Sequence, residues 1–281
     1  MQPFDLSLVN LSHVNLSLVK PAATNPAAAG ALVGCAGWIV PKQSAAHFAE
    51  EGSHLERFAG VFGCVEINSS FYRPHRPATY ARWAASTPPA FRFSVKVPRA
   101  ATHEGKLLEA DAVLDRFAQE AGALGDKLGC VLTQLPPKLA FDGAVADTFF
   151  SALRQRFGCL LAVEARHPGW FGADATALLL AHGITRVIAD PPAGQPGPHV
   201  PTAAAIYLRL HGSPRVYYST YDDGWLRQLG AAIGAHVAAG RQVWCIFDNT
   251  LSPSFVDQAL LVQTTAYAAG PAAGAARSPL R

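Results

Sequence analysis

The sequence predicts an α/β protein folded as a single-domain (β/α)8 barrel of the TIM type, and three observations carry that reading. Eight short apolar runs recur between residues 31 and 270, separated by longer Ala-, Leu- and Arg-rich stretches. The runs are almost continuously apolar, as strands covered on both faces of a parallel sheet are. Eight strand–helix units in about 240 residues is also the size of such a barrel.

The runs, in order, are ALVGCAG (31–37), GCVEIN (63–68), FRFSVKV (91–97), LGCVLTQL (128–135), CLLAVEAR (159–166), TRVIAD (185–190), AIYLRLHG (205–212) and QVWCIFDN (242–249). Between them, residues 44–62 place Ala46, Phe48, Leu55, Phe58 and Phe62 near one helical face. Residues 111–128, 146–158, 173–183 and 222–240 have the same character, and the last three stop at Gly158, Gly183 and Gly240. Ser44, Asp111, Asp174 and Asp222 stand where N-caps are expected. The competing architecture, an open doubly wound sheet, calls for fewer strands or a Gly-rich phosphate turn after the first, and GCAGW (34–38) is not one.

Composition narrows the class. Half of the residues are hydrophobic and 15% are charged, which excludes a disordered chain. Lys and Arg number 23 against 20 Asp and Glu, a formal +3. Lys20, Arg277, Arg281 and Asp5 fall in expected tails, and without them the balance is 20 against 19. A nearly neutral body carries no bulk footprint for nucleic acid or an anionic membrane. No apolar run reaches the length of a membrane span. Cys35, Cys64, Cys130, Cys159 and Cys245 lie inside apolar runs without a C-x-x-C pair, as buried small hydrophobes do.

Residues 6–20 repeat a five-residue unit, LSLVN LSHVN LSLVK, with no Lys or Arg before it and the flexible PAATNPAAAG after it. The charged front of a secretory signal is missing, so residues 1–30 are expected to be a flexible extension and the protein cytoplasmic. A short amphipathic arm is the alternative for this segment. Residues 271–281 are expected to be a disordered tail.

The polar residues are concentrated at the ends of the runs. These are Glu66 and Asn68; Lys96, with Arg99 beyond; Gln134; Glu164, Arg166 and His167; Asp190; Arg209 and His211; and Asp248 and Asn249. Residues two apart on a strand share a face, so Glu66/Asn68, Glu164/Arg166 and Arg209/His211 each aim at one side. In a barrel that side is the mouth formed by the βα loops. Buried there, such groups must pair with one another, Glu66 with Lys96 or Glu164 with Arg209, or with a ligand.

These residues also carry a resemblance. GCAGW (34–38), VEINSSFYRPH (65–75), residues 83–103 from Trp83 through TPPAFRFSVKVPRAATH, QLPP (134–137), EARHPGW (164–170), YLRLHG (207–212) and FDN (247–249) resemble the DUF72 family, also called YecE-like proteins. The resemblance covers roughly residues 31–270 and implies a TIM-type barrel with a polar pocket at the strand C-termini, with no established activity. Ala36 stands where serine is common, and Asp248 where asparagine is frequent.

Several chemistries stay open on the residues. A glycosidase would need two carboxylates across one bond, drawn from Glu66, Glu164, Asp190 and Asp248. A metal-dependent hydrolase or isomerase would draw on Glu66, Glu164, His167, Asp190 and His211, with Lys96, Arg99, Arg166 and Arg209 competing for the same carboxylates. The cations, with Arg215 in HGSPR (211–215), point instead to a small anionic ligand, phosphorylated or carbohydrate-like. On that reading Glu66, Glu164 and His211 are the general acid/base residues. Asn68, Tyr72, Lys96, Arg99, His103, Gln134, Arg166, His167, Trp170, Asp190, Arg209 and Asn249 contact the substrate. No metal is assigned, and the residues name no cofactor. Lys96 has a second role open to it, as a Schiff-base nucleophile. The non-enzyme alternative is a module for a nucleotide or single-stranded nucleic acid, stacked on loop aromatics such as Trp38, Phe71, Tyr72, Trp170, Tyr217, Tyr218 and Tyr221 beside Arg73, Arg76 and Arg99.

Overall fold

The structure, a computed structural model, describes residues 30–269. The expected tail lies outside the described residues, as does all of the N-terminal extension except Gly30. Nine strands follow in order: β1 (Ala31–Ala36), β2 (Cys64–Ile67), β3 (Arg92–Lys96), β4 (Leu128–Gln134), β5 (Leu160–Glu164), β6 (Thr185–Arg186), β7 (Ile188–Asp190), β8 (Ile206–Leu210) and β9 (Val243–Phe247). Every pairing is parallel, in the order β6-β5-β4-β3-β2-β1-β9-β8-β7. The ninth strand arises because the sixth expected run is divided at Val187. Its first half pairs with β5 and its second with β8. The Val187 N–H still donates to Val163 O at 2.9 Å, so the two sheet edges are halves of one strand and the barrel nearly closes through it.

The described residues form eight α-helices: α1 (His54–Ala59), α2 (Ser69–Tyr72), α3 (Pro77–Ala85), α4 (Asp111–Ala121), α5 (Gly143–Arg156), α6 (Ala173–Ala181), α7 (Asp223–Ala238) and α8 (Phe255–Ala269). The single helix expected over 44–62 is instead a 3-10 turn, Lys42–His47, followed by α1. Gly52, at φ +99°, interrupts it, and Ser53 restarts the helix through a reciprocal capping box with Glu56. Ser44 is therefore buried and not a cap. Asp222 caps α7, accepting from Trp225 N at 3.0 Å. Asp111 and Asp174 sit one and two residues inside their helices, where an acid still complements the helix dipole. Asp142 caps α5 and starts it three residues before the expected residue 146.

Strand alternation divides the core in two. Val33, Cys35, Val65, Phe93, Val131, Leu161, Leu208 and Phe247 face outward and pack against the helices. Inside the barrel, Cys64, Cys130, Leu132, Leu160, Ala162, Tyr207, Trp244 and Ile246 form a smaller apolar floor. Gly34 lets β1 pass close to β2 there, since a Cβ would lie 2.1 Å from Cys64 O. The five cysteines are free, and burial pushes each thiol's pKa up. They are inert packing groups, as their positions in apolar runs suggest.

Candidate functional site at the barrel mouth

Continuing the inward-facing positions toward the strand C-termini changes the interior from apolar to ionic. Above Cys64 comes Glu66 and then Asn68; above Ala162, Glu164 and Arg166; above Tyr207, Arg209 and His211; and above Ile246, Asp248. Ser94 and Lys96 rise in the same way on β3, and Gln134 on β4.

Arg209 is the hub and is 0% exposed. Its Nε and Nη2 donate to Glu66 Oε2 and Oε1 at 3.0 and 2.6 Å, a bidentate fork. Nη2 also donates to Asp248 Oδ2 at 3.0 Å, and Nη1 to Glu164 Oε2. The Tyr207 hydroxyl lies 2.8 Å from Glu66 Oε2 and 2.7 Å from Ser94 Oγ. Glu66 is thus paired with Arg209 rather than with Lys96, whereas the Glu164–Arg209 pair forms as the sequence allows. Glu164 Oε1 accepts from Arg166 Nε at 2.8 Å and Gln134 Nε2 at 3.2 Å. Asp248 Oδ2 is 2.9 Å from His211 Nδ1, and its Oδ1 accepts from Asn68 Nδ2 at 3.3 Å.

Two buried atoms in this cluster lack an aligned partner: His211 Nε2 and Asn68 Oδ1. His211 Nε2 lies 3.3 Å from Glu164 Oε1, near enough for electrostatic attraction but off line for a hydrogen bond. Lys96 is buried with its Nζ 4.2 Å from the centre of the Phe71 ring. Among the described residues it makes no hydrogen bond or ion pair, and it is 6% exposed.

The electrostatics follow from these contacts. Burial pushes the Glu164 and Asp248 carboxyls up, but Arg209 and His211 outweigh it and hold both below the usual carboxylate range. Burial opposes the charge on His211, yet Glu164 and the bond to Asp248 raise its pKa. Lys96 is pushed down to about 8 by burial and by Arg209, against the pull of Glu66, Asp248 and Glu164.

Glu66, Glu164, His211, Asn68, Lys96, Gln134, Arg166 and Arg209 are thus brought together. His103 and Arg99 stand on the rim, where burial, Lys96, Arg99 and Arg166 lower the His103 pKa. Arg99 pairs with Glu104 at 2.9 Å, and Tyr72 is 70% exposed. Four expected residues are used elsewhere. His167 accepts from Gly169 N and caps the turn Pro168–Phe171. Trp170 is buried against Phe141 and Phe150, with its indole N–H on Leu139 O. Asn249 ties Ser219 O to Gln258 of α8. Asp190 has the parity of Ile188, which packs outward, and burial raises its pKa. The Gly212 N–H donates to Tyr221 OH at 2.8 Å, and Arg215 stacks on Tyr218.

Tyr207 and Ser94 join the cluster without having been expected there, and Asp248 and Tyr217, given a role only under the glycosidase and nucleic-acid readings, join it too. The alternation that selects Arg209 and His211 also selects Tyr207, two residues earlier, and Ser94 precedes Lys96 by the same step. Tyr217, at φ +71°, meets the His211 ring edge-on. Among the described residues no group of three or more His, Cys, Asp or Glu could hold a metal ion. No described helix is long and apolar enough to cross a membrane.

A sequence profile of the family described as "Protein of unknown function DUF72" matches residues 32–278. Two curated relatives, each described as UPF0759 protein YecE, come from Escherichia coli K12 and O157:H7 and are 32% and 31% identical over 142 residues. The match takes in 48% of this chain and 52% of each relative, so the chain spans about half the length of the curated relatives it matches. Among solved structures, a DUF72 family protein from Enterococcus faecalis V583 superposes with a TM-score of 0.70 at 18% identity, covering 84% of this chain and 95% of that one. One from Thermotoga maritima does so with a TM-score of 0.69 at 22% identity, covering 84% and 98%. At these identities the likeness is one of fold.

Proposed function

The chain belongs to the DUF72 family, whose description states no activity, and we propose that its barrel mouth takes a small hydroxylated oxyanion and moves protons on it by general acid/base chemistry. The observation that carries this reading is the Asp248–His211 pair, whose Nε2 is buried without an aligned partner. A carboxylate on Nδ1 orients an imidazole and stabilises its charged form, leaving Nε2 to face a substrate. Because its pKa is raised, His211 favours the imidazolium and acts first as a donor. Glu164, beside Nε2, stabilises that charge. Glu66 is a counter-ion that holds Arg209 in place and does not touch substrate.

Arg166 donates Nε to Glu164 Oε1, with Nη2 in ion-pair contact with the same oxygen, which leaves Nη1 for an oxyanion, and Lys96 and His103 add positive charge nearby. A phosphate or carboxylate matches that guanidinium. The unpartnered Asn68 Oδ1 calls for a donor, which a substrate hydroxyl supplies.

The test is a thermal-shift titration with inorganic phosphate, pyruvate and small sugar phosphates on wild type and Arg166→Gln. Stabilisation should grow with ligand concentration in the wild type, by about 2.7 kcal/mol at a hundredfold excess over Kd, and weaken in Arg166→Gln. Equal shifts in both proteins, or none with any of these anions, would overturn the reading. Salt-steep binding of an oligonucleotide alone would favour the nucleic-acid alternative.

A further inference from the structure

We propose that Lys96 is a covalent nucleophile, forming an imine with the carbonyl carbon of an aldehyde or ketone bound in the mouth. The proposal deepens the reading above, on which the substrate is a small oxyanion, by giving that substrate a carbonyl group.

Lys96 ends β3 and points into the barrel among groups that leave it unpaired. Three carboxylates stand within electrostatic range, but each is already engaged by Arg209, and none lies within 4 Å of Nζ. A lysine meant only as a counter-ion would take one of those oxygens. This one rests on the face of Phe71, whose ring attracts the ammonium but supplies no carboxylate oxygen. Ser70 holds the strand end from behind, its hydroxyl donating to the Lys96 carbonyl at 2.7 Å. Burial and the neighbouring Arg209 charge favour the neutral amine, which is the nucleophilic form, and outweigh the attraction of the ring face for the ammonium. Lys96 keeps 6% exposure at the strand end that opens on the mouth, where an entering substrate would meet it.

The step balances without an oxidant or a cofactor. The neutral amine adds to the carbonyl carbon, one N–H proton moves to the oxygen, and a carbinolamine forms. Protonation of that hydroxyl releases water as the nitrogen lone pair makes the C=N bond. The net change is one ammonium and one carbonyl giving one iminium and one water. His211, raised in pKa and with no hydrogen-bond partner aligned on Nε2, is the acid suited to protonating the departing hydroxyl.

The experiment is reductive trapping of the full-length protein. Wild type, Lys96→Arg and Lys96→Met are incubated separately with pyruvate, dihydroxyacetone phosphate and uncharged dihydroxyacetone, reduced with borohydride, and read by intact mass and peptide mapping. Circular dichroism checks that each variant is folded. The expected result is one stoichiometric adduct on Lys96 in the wild type, absent from both variants, and competed by inorganic phosphate when the probe is charged. Labelling spread evenly over surface lysines, or no Lys96 adduct with any probe, overturns the proposal. Phosphate stabilisation without an adduct removes the imine and keeps the oxyanion reading. An adduct with uncharged dihydroxyacetone alone keeps the imine and removes the oxyanion.

Discussion

Two buried arginines in one barrel behave in opposite ways. Arg209 faces inward from β8, and three carboxylates surround it, raising its pKa well above the ordinary value against the cost of burial. Arg186 faces outward from β6, 2% exposed, and its guanidinium donates to Val200 O, Trp170 O and Thr176 Oγ1 at 3.0, 3.0 and 2.9 Å. No carboxylate pairs with it among the described residues, its Nε has no partner, and burial lowers its pKa to about 10. Arg186 straps the loop after β7 to the outer layer with neutral acceptors. Arg209 instead gathers titratable groups around an imidazole flanked by Asp248 and Glu164. Burial of a charge therefore does not by itself mark a site; what surrounds the charge does.

That contrast can be broken by mutation. Arg209→Met leaves three buried carboxylates without their main counter-ion and should cost about 3–5 kcal/mol in denaturant unfolding at pH 7. Its pH dependence should also invert. In the wild type, Glu164 and Asp248 have depressed pKa values, so their contribution is present above the ordinary carboxylate range and is lost as pH falls through the folded values. Without Arg209 the buried carboxylates resist ionisation, and stability should rise as pH falls from 7 toward 5. An unchanged slope would remove Arg209 from the centre of the network.

Arg186→Met should cost less, about 2 kcal/mol from stranded acceptors, with no inversion over the same pH range. Lys96→Met should stabilise the protein at pH 7, by about 1–3 kcal/mol, because the folded pKa of about 8 lies below the ordinary lysine value. The cost of burying that charge is complete below pH 8 and fades as pH rises toward 10.5, and the gain in the variant should fade with it. A destabilised Lys96→Met at pH 7 would mean that the ammonium is well paired. The smallest effect is expected for His211→Gln. A raised pKa gives stability below pH 6.5 that is lost as pH rises through the folded value. The variant should flatten that slope.

Much of this was legible in the sequence because strand alternation is a strict period. Glu66, Glu164, Arg209 and His211 are brought together because each lies an even number of residues from an interior apolar neighbour. The same rule would have separated Asp190, which has the parity of outward Ile188. It would also have found Tyr207 and Ser94, hidden among apolar residues. His167, Trp170 and Asn249 lie beyond the last paired residue, where the loop and not the pleat sets direction. His167 and Asn249 serve local hydrogen bonds, and Trp170 packs in the outer layer. Helix starts were less legible: Ser44 and Ser53 are both plausible caps, and the Gly52 turn with its Glu56 partner decides between them. The break at Val187 has no signature in the run TRVIAD.

The most direct test is nitrogen-15 NMR titration of His211 with and without inorganic phosphate. The imidazole should titrate above its ordinary value in the free protein. Added phosphate should raise it further by placing negative charge beside Nε2, an effect weakened in Arg166→Gln. A titration curve unmoved by saturating phosphate, or moved equally in both proteins, would contradict an oxyanion site at this barrel mouth.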